Sequence, residues 1–168
     1  RGRLALAAAL GAALAVAVTA VLTTVEATAH NTHDVEAVAG GGGGGGAPAG
    51  GGIALVPAPS RRSATRDRGH DSMLRTARSA ARVLRRAGAP TTVVPALTYR
   101  RPVADQHDLG RADRFANVRG AIGVRHRLLP RLVGRPIVIV DDVVTTGATV
   151  AECWRALPGA GTTPVGAA

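Results

Sequence analysis

The chain has no lysine, and all 21 of its basic residues are arginine. It has a single cysteine, Cys153, which excludes both a disulfide framework and a cysteine zinc site built within the chain. Aromatic residues make up only 2% of it (Tyr99, Phe115 and Trp154), so the core must be assembled from Ala, Val, Leu and Ile. The same scarcity argues against a groove that stacks nucleic-acid bases on aromatic rings. Acidic residues number 11, which leaves a formal net charge of +10.

At 168 residues the chain suffices for one domain with a real core. The positive charge is concentrated between Arg61 and Arg135, where eighteen arginines face five aspartates. A surface of that kind suits a polyanion, either pyrophosphate-bearing small molecules or a nucleic-acid backbone, against the plainer reading of a solvated arginine face.

The front of the chain differs in character. Leu4 to Leu22 is an apolar run interrupted only by Gly11 and Thr19, preceded by Arg1 and Arg3. With Ala27-Thr28-Ala29 behind it, the run imitates a secretory signal peptide, and it is about long enough to span a bilayer. Alanine dominates it and has little drive into lipid, so a helix packed on a sheet is the expectation, with the membrane or secreted reading as the alternative. The segment 26–52, with seven consecutive glycines from Gly40 to Gly46, reads as a flexible low-complexity linker. His30 and His33 beside Asp34 are weighed as metal ligands and set against a solvated loop. The expected organisation is an Ala-rich helix over 1–25, a Gly-rich linker over 26–52 and one folded domain over 53–168.

Within that domain one stretch organises the rest: Ile137-Val138-Ile139-Val140-Asp141-Asp142-Val143-Val144-Thr145-Thr146-Gly147-Ala148-Thr149. Four apolar, mostly β-branched residues predict a strand buried on both faces, as in a parallel sheet covered by helices. Two carboxylates follow at the carboxyl end of that strand, where open α/β sheets hold ligands. Small hydroxyl residues and a glycine then let backbone N–H groups converge on an anion as a helix begins. A Walker B strand or a receiver-domain acidic pocket would each require a lysine, which the chain lacks.

Ile53 to Pro57 predicts a second buried strand. The loop after it, Pro57-Ala58-Pro59-Ser60-Arg61 and on to His70, can hold pyrophosphate through backbone amides and bidentate arginine contacts. A helix is predicted from about Asp71 to Ala87, with Met73, Ala77, Ala80, Leu84 and Ala87 on one face and arginines on the others. Thr91 to Leu97 predicts one further strand, with Pro95 marking an edge or bulge. Thr98 to Val118 reads as a polar lid, with a short helical piece carrying Arg111, Arg114 and Asn117, against the alternative of a plain surface loop. Arg119 to Ile122 restarts a strand, a helix follows from Thr149 to Leu157, and Thr162 to Ala168 reads as a strand cut short.

Val56-Pro57-x-Pro59, Arg66-x-Arg68-Gly69, Arg101-x-x-x-x-Gln106, Arg114-x-x-Asn117-Val118-Arg119-Gly120-Ala121 and the Asp141-Asp142-x-x-Thr145-Thr146-Gly147-x-Thr149 motif occur in the order seen in the ComF family. Those are competence-associated bacterial proteins with a type I phosphoribosyltransferase domain, and residues 53–168 resemble it closely. Residues 1–22 are similar to the arginine-led helix that precedes that region. The family's N-terminal cysteine zinc ribbon has no counterpart here. Gly69-His70-Asp71-Ser72 stands where the family commonly has Gly-Phe-Asn-Gln, and the lysine of many type I pyrophosphate loops is missing.

The resemblance implies an α/β fold of the type I phosphoribosyltransferase kind, with a mostly parallel central sheet flanked by helices. It implies that Asp141 and Asp142 serve as the catalytic pair, accepting hydrogen bonds from the ribose hydroxyls of 5-phosphoribosyl-1-pyrophosphate (PRPP). Residues Asp141, Asp142, Val143, Val144, Thr145, Thr146, Gly147, Ala148 and Thr149 would form the PRPP site. Pro57, Ala58, Pro59, Ser60 and Arg61, with Arg101 and Arg114 of the lid, would hold the pyrophosphate. Mg²⁺ would arrive with PRPP, with no protein ligands of its own. No general base stands out; His70 and His107 are weighed against ordinary surface histidines. The expected location is the cytoplasm, without stable membrane insertion. The alternative function is a non-catalytic adaptor in DNA uptake, whose basic face meets single-stranded DNA or the competence machinery.

Overall fold

The computed structural model of the protein describes residues 2–36, 52–60, 71–104, 110–141, 146–158 and 162–168. At its centre β1 (Ile53–Pro57) and β5 (Ile137–Val140) run parallel, with Ala54 opposite Ile137 and Pro57 opposite Val140. Outside β1 lies β2 (Thr91–Val93), and outside β5 lies β6 (Pro164–Ala167), giving a four-stranded sheet in the order β2-β1-β5-β6 with every pairing parallel. The architecture is α/β, a parallel sheet flanked by helices, consistent with a type I phosphoribosyltransferase-like fold.

Side chains alternate across a strand, so each central strand feeds two separate cores. Leu55, Val138 and Val140 enter one, while Ala54, Val56, Ile137 and Ile139 enter the other. The unbroken apolar run of β5 follows from this, because neither face meets water. Each fully buried Val, Leu or Ile contributes about 1.5–3 kcal/mol relative to exposure.

On the first face lie α1 (Gly2–Glu36) and α2 (Ser72–Arg86). Met73, Ala77, Ala80 and Leu84 point inward as their spacing predicts, whereas Ala87 is exposed beyond the helix end. Asp71 caps α2, its carboxylate accepting from the Leu74 N–H at 3.0 Å. Gly11, Leu14, Ala15 and Val18 form the inward stripe of α1. A Cβ on Gly11 would collide with the Ser79 side chain, so the glycine is what lets α1 approach α2.

On the second face, Cys153, Ala156 and Leu157 of and beside α4 (Ala148–Ala156) pack with Leu97, Ile122, Val124 and Leu132. These come from β3 (Leu97–Tyr99) and β4 (Ile122–Val124), an antiparallel pair, and from the 3₁₀ segment His126–Arg131 and its cap. Between β3 and β4 stands α3 (Arg111–Val118), which packs against α4.

Several boundaries differ from expectation. α1 continues through Glu36, since neither glycine nor proline interrupts residues 12–36; the rest of the expected linker, 37–51, lies outside the described residues. Its burial is also one-sided: Val16 is 71% exposed, and only 22% of the apolar window within Ala8–Thr28 is buried. That span, with a mean hydropathy of 2.1, is long and apolar enough to cross a membrane by length and composition. The single strand expected over Thr91–Leu97 is two strands in two sheets. Pro95 lacks the N–H that would continue the ladder, and the chain turns there, with the Ala96 N–H donating to the Val94 carbonyl at 2.7 Å. The expected lid opens on the last two residues of β3, while the helical piece expected around Arg111, Arg114 and Asn117 is α3. Finally, the segment expected as a curtailed strand is a full member of the sheet.

Candidate functional site

The strand order creates one topological switch point. From β1 the chain passes through α2 to β2 on one side; from β5 it passes through α4 to β6 on the other. The two helices therefore cover opposite faces, and a crevice opens between the carboxyl ends of β1 and β5, where open α/β sheets bind ligands. The Ala58 N–H donates to the Val140 carbonyl at 2.8 Å, so the two strand exits are tied one residue beyond the ladder.

At the β1 exit, Pro57, Ala58, Pro59 and Ser60 line a cavity of about 550 Å³ together with Asp71, Leu74, Pro95, Leu97, Thr98, Tyr99 and Arg125. The Ser60 hydroxyl donates to Asp71 Oδ1 at 2.8 Å, and the same oxygen caps α2. One carboxylate thus fixes both the loop and the helix that follows it. Arg61 lies outside the described residues.

At the β5 exit, the N–H of half-buried Asp141 donates to the Ala168 carbonyl at 3.0 Å, extending the β5–β6 ladder past the carboxyl end of β5. Asp142, Val143, Val144 and Thr145 lie outside the described residues. The chain then enters α4 through Gly147 at φ 74°, the left-handed region that only glycine adopts cheaply. Thr146 Oγ1 accepts from the Ala148 N–H at 3.4 Å. The first-turn N–H groups of α4 lack intrahelical acceptors, and no acidic side chain in that turn competes for them. Thr146, Gly147, Ala148 and Thr149 therefore gather at the mouth of β5, across from Pro57 to Ser60. The arrangement can hold an anion at the β5 side with a carboxylate beside it.

The two arginines of the expected lid are placed differently. Arg114 is half-buried on α3, the helix that packs against α4. The Arg101 guanidinium is engaged by the backbone: Nη2 donates to the carbonyls of Asn117 (3.0 Å) and Arg119 (2.9 Å), and Nη1 to that of Pro102 (3.3 Å). Asn117 pairs both ways with Ala104, accepting its N–H and donating to its carbonyl, each at 3.0 Å. Together they close the base of the segment. His70 and His107 lie outside the described residues, as do the side chains of His30, His33 and Asp34.

One charged group escaped the sequence reading. Glu152 is 5% exposed, deep beneath α4. Arg155 donates to it twice, Nε to Oε2 at 2.8 Å and Nη2 to Oε1 at 2.6 Å. Burial alone would raise its pKa; Arg155 and the backbone N–H groups of Ile122 and Gly120 outweigh burial and hold it below the usual carboxylate value. The same ion pair raises the pKa of Arg155. The only sequence signal was an acid three residues before an arginine on a helix. Cys153 beside it is buried, burial foremost pushing its thiol well above the ordinary range, with Asp141 and Glu152 adding to the shift.

A second cavity, about 1040 Å³, lies between α1 and the carboxyl end of α2, lined by residues such as Ala15, Val16, Thr19, Thr23, Leu84 and Ala87. It has no charged lining and sits at the end of α2 opposite the crevice, so it is no anion site. Among the described residues no three His, Cys, Asp or Glu side chains converge to hold a metal.

Comparison with known proteins gives one group of relatives. Over 62 residues the chain is 47% identical to the DNA utilization protein YhgH of Escherichia coli O157:H7, of Escherichia coli strain K12 and of Shigella flexneri. The match takes in 37% of this chain and 26% of each relative, so the chain spans about a quarter of the length of the curated relatives it matches. No protein-family model matches the chain, and no solved structure does.

Proposed function

We propose that the crevice between β1 and β5 binds PRPP, and that the chain is a phosphoribosyltransferase-like protein of the ComF family. The observation that carries this reading is the coincidence of motif and topology. The Asp141-Asp142 to Thr149 motif leaves β5 at the switch point, and the Pro57 to Ser60 loop leaves β1 beside it. In this reading Asp141 and Asp142 accept hydrogen bonds from the ribose hydroxyls. Thr145 to Thr149 surround the 5′-phosphate, using backbone N–H groups at the start of α4 and the threonine hydroxyls. Pro57 to Arg61 and Arg114 face the pyrophosphate, while Arg101 holds the base of the segment that carries Arg114.

In this reading a Mg²⁺ ion would arrive with PRPP, with Asp141 and Asp142 as the nearest carboxylates. When bound it would offset charge on the departing pyrophosphate. The bond from the anomeric carbon to pyrophosphate breaks with its electron pair leaving on the pyrophosphate oxygen. An acceptor lone pair then forms the new bond to that carbon. The protein's part is to orient the ribose, hold both phosphate ends and exclude water.

A second reading is favoured by a separate observation. The relatives carry the name DNA utilization protein, and several arginines among the described residues are exposed, including Arg82, Arg86, Arg100, Arg119, Arg125, Arg127 and Arg131. On that reading the chain is an adaptor in DNA utilization or uptake, contacting the phosphates of single-stranded DNA electrostatically.

Calorimetric titration of PRPP with Mg²⁺ into the purified chain separates the two. Micromolar binding that disappears in the Asp141→Asn/Asp142→Asn double variant is the expected result. A folded protein that binds no PRPP would overturn the first reading. DNA binding that falls steeply with salt and survives the double substitution would favour the adaptor.

A further inference from the structure

The turn Arg119-Gly120-Ala121 joins α3 to β4, and groups from two distant parts of the chain grip it. From the β3 side, Arg101 Nη2 holds the carbonyls of Asn117 and Arg119, while the Arg100 N–H donates to the Ala121 carbonyl at 2.8 Å. From the α4 side, the Glu152–Arg155 pair clasps both polar groups of Ile122. Glu152 Oε1 faces its N–H at 3.5 Å, and Arg155 Nη2 its carbonyl at 3.4 Å. Gly120, at φ 67°, makes the bend between these grips, and nothing lies within 4 Å of where its Cβ would be. The bend is thus a matter of backbone conformation rather than of space, and its angle is set by the hydrogen bonds around it. α4 also begins at Gly147, where the anion loop ends, so one rigid helix of nine residues bears both the loop and the grip.

We propose that the Glu152–Arg155 pair and Arg101 are positioning residues that fix α3, and with it Arg114, at a set distance from the phosphate loop. A buried carboxylate of this kind does little for stability that an apolar pair would not do as well. Its two-sided hold on a bend beside the crevice is what gives it a specific use. The consequence for ligands rests on the PRPP reading: the braces matter for a ligand that reaches from the phosphate loop to α3, and not for one that occupies the loop alone. Ribose 5-phosphate and PRPP differ in that respect, since only PRPP carries the pyrophosphate.

Two measurements on the full chain test this. The first needs no ligand. Amide hydrogen exchange over residues 112–122 is expected to quicken about tenfold in Glu152→Gln and in Arg101→Ala, with α2 and β1 unchanged; the size is that of one lost contact in a coupled network. Arg101 is exposed, so its variant remains informative even where Glu152→Gln fails to fold. Unchanged exchange across 112–122 in the folded variants overturns the proposal. The second compares Mg-PRPP with ribose 5-phosphate by calorimetry. Both variants are expected to weaken PRPP about tenfold and to leave ribose 5-phosphate within about twofold. Equal weakening of the two ligands would instead mark general damage to the crevice and overturn the positioning role. A wild-type chain that binds neither ligand defeats the PRPP reading, while the exchange experiment still decides whether the turn is braced.

Discussion

The two faces of the sheet are packed by different means. Where α1 meets α2, small residues set the approach: Gly11, Ala15, Ala77, Ala80 and Ala81 lie among the larger Leu14, Val18, Met73 and Leu84. Under α4, β3 and β4 the contacts are made by Ile122, Ile137, Ile139, Leu97, Leu132 and Leu157, and a buried charge is accommodated there as well. Small residues allow two helices to approach closely but leave little volume to lose. Branched residues fill a deeper layer in which each side chain touches many others. The crevice is supported from the second face through α4, β3 and β4, whereas the first face supplies the Asp71 cap and little else to it.

The contrast predicts opposite sensitivities. The largest effect should come from opening the branched face: Ile139→Ala is expected to lose about 2–5 kcal/mol in urea unfolding, through lost burial and an unfilled cavity. On the small-residue face the damaging change is enlargement. Gly11→Val forces a side chain into Ser79 and is expected to lose about 1–3 kcal/mol by the same measurement, with ligand binding at the crevice retained. Gly11→Ala already brings a Cβ against Ser79 and should also lose stability; no loss in either variant would show that α1 yields freely and that close approach is not what the glycine provides.

A smaller effect is expected at the start of α4. Gly147→Ala meets no atom within 4 Å, so its penalty is that of the left-handed conformation alone, about 1–2 kcal/mol, and it should weaken phosphate binding as the loop readjusts. The smallest effect is the pH dependence of Glu152. Its pKa is lower in the folded chain than in the unfolded one, so the unfolded state takes up the proton first on acidification. Its contribution is full above the ordinary carboxylate value of 4.5 and is lost as pH falls through the lowered folded value. Urea midpoints measured at successive pH values across that window should fall less in Glu152→Gln than in the wild type.

What could be read in the sequence was what local patterns encode. The β5 run needed no partner to be identified, because four consecutive β-branched residues are buried on both faces wherever a parallel sheet places them. α2 was legible from its spacing. The Asp141 to Thr149 motif was legible as a pattern, but the left-handed turn at Gly147 that leads it into α4 was not. The unread parts depend on residues far apart in the chain. Glu152 meets Ile122 thirty positions away, and Arg101 reaches Asn117 and Arg119 at sixteen and eighteen. The division of Thr91–Tyr99 between two sheets turned on Pro95, whose presence signalled an interruption without telling which sheet the chain would join next. The continuation of α1 to Glu36 was missed because His30, Asn31 and Asp34 favour turns locally, and the helix runs through them.

The central pairing also governs how the protein can form. β1 and β5 are about eighty residues apart in sequence, yet neither is buried without the other. The antiparallel pair of β3 and β4 and the packing of α2 on β1 and β2 can form from nearer neighbours. The strands that flank the crevice meet only when the longest loop in the sheet closes, so folding should be slow for a chain of this size and limited by a single late event. During synthesis β1 leaves the ribosome well before its partner, and its unpaired edge must wait for β5 to follow.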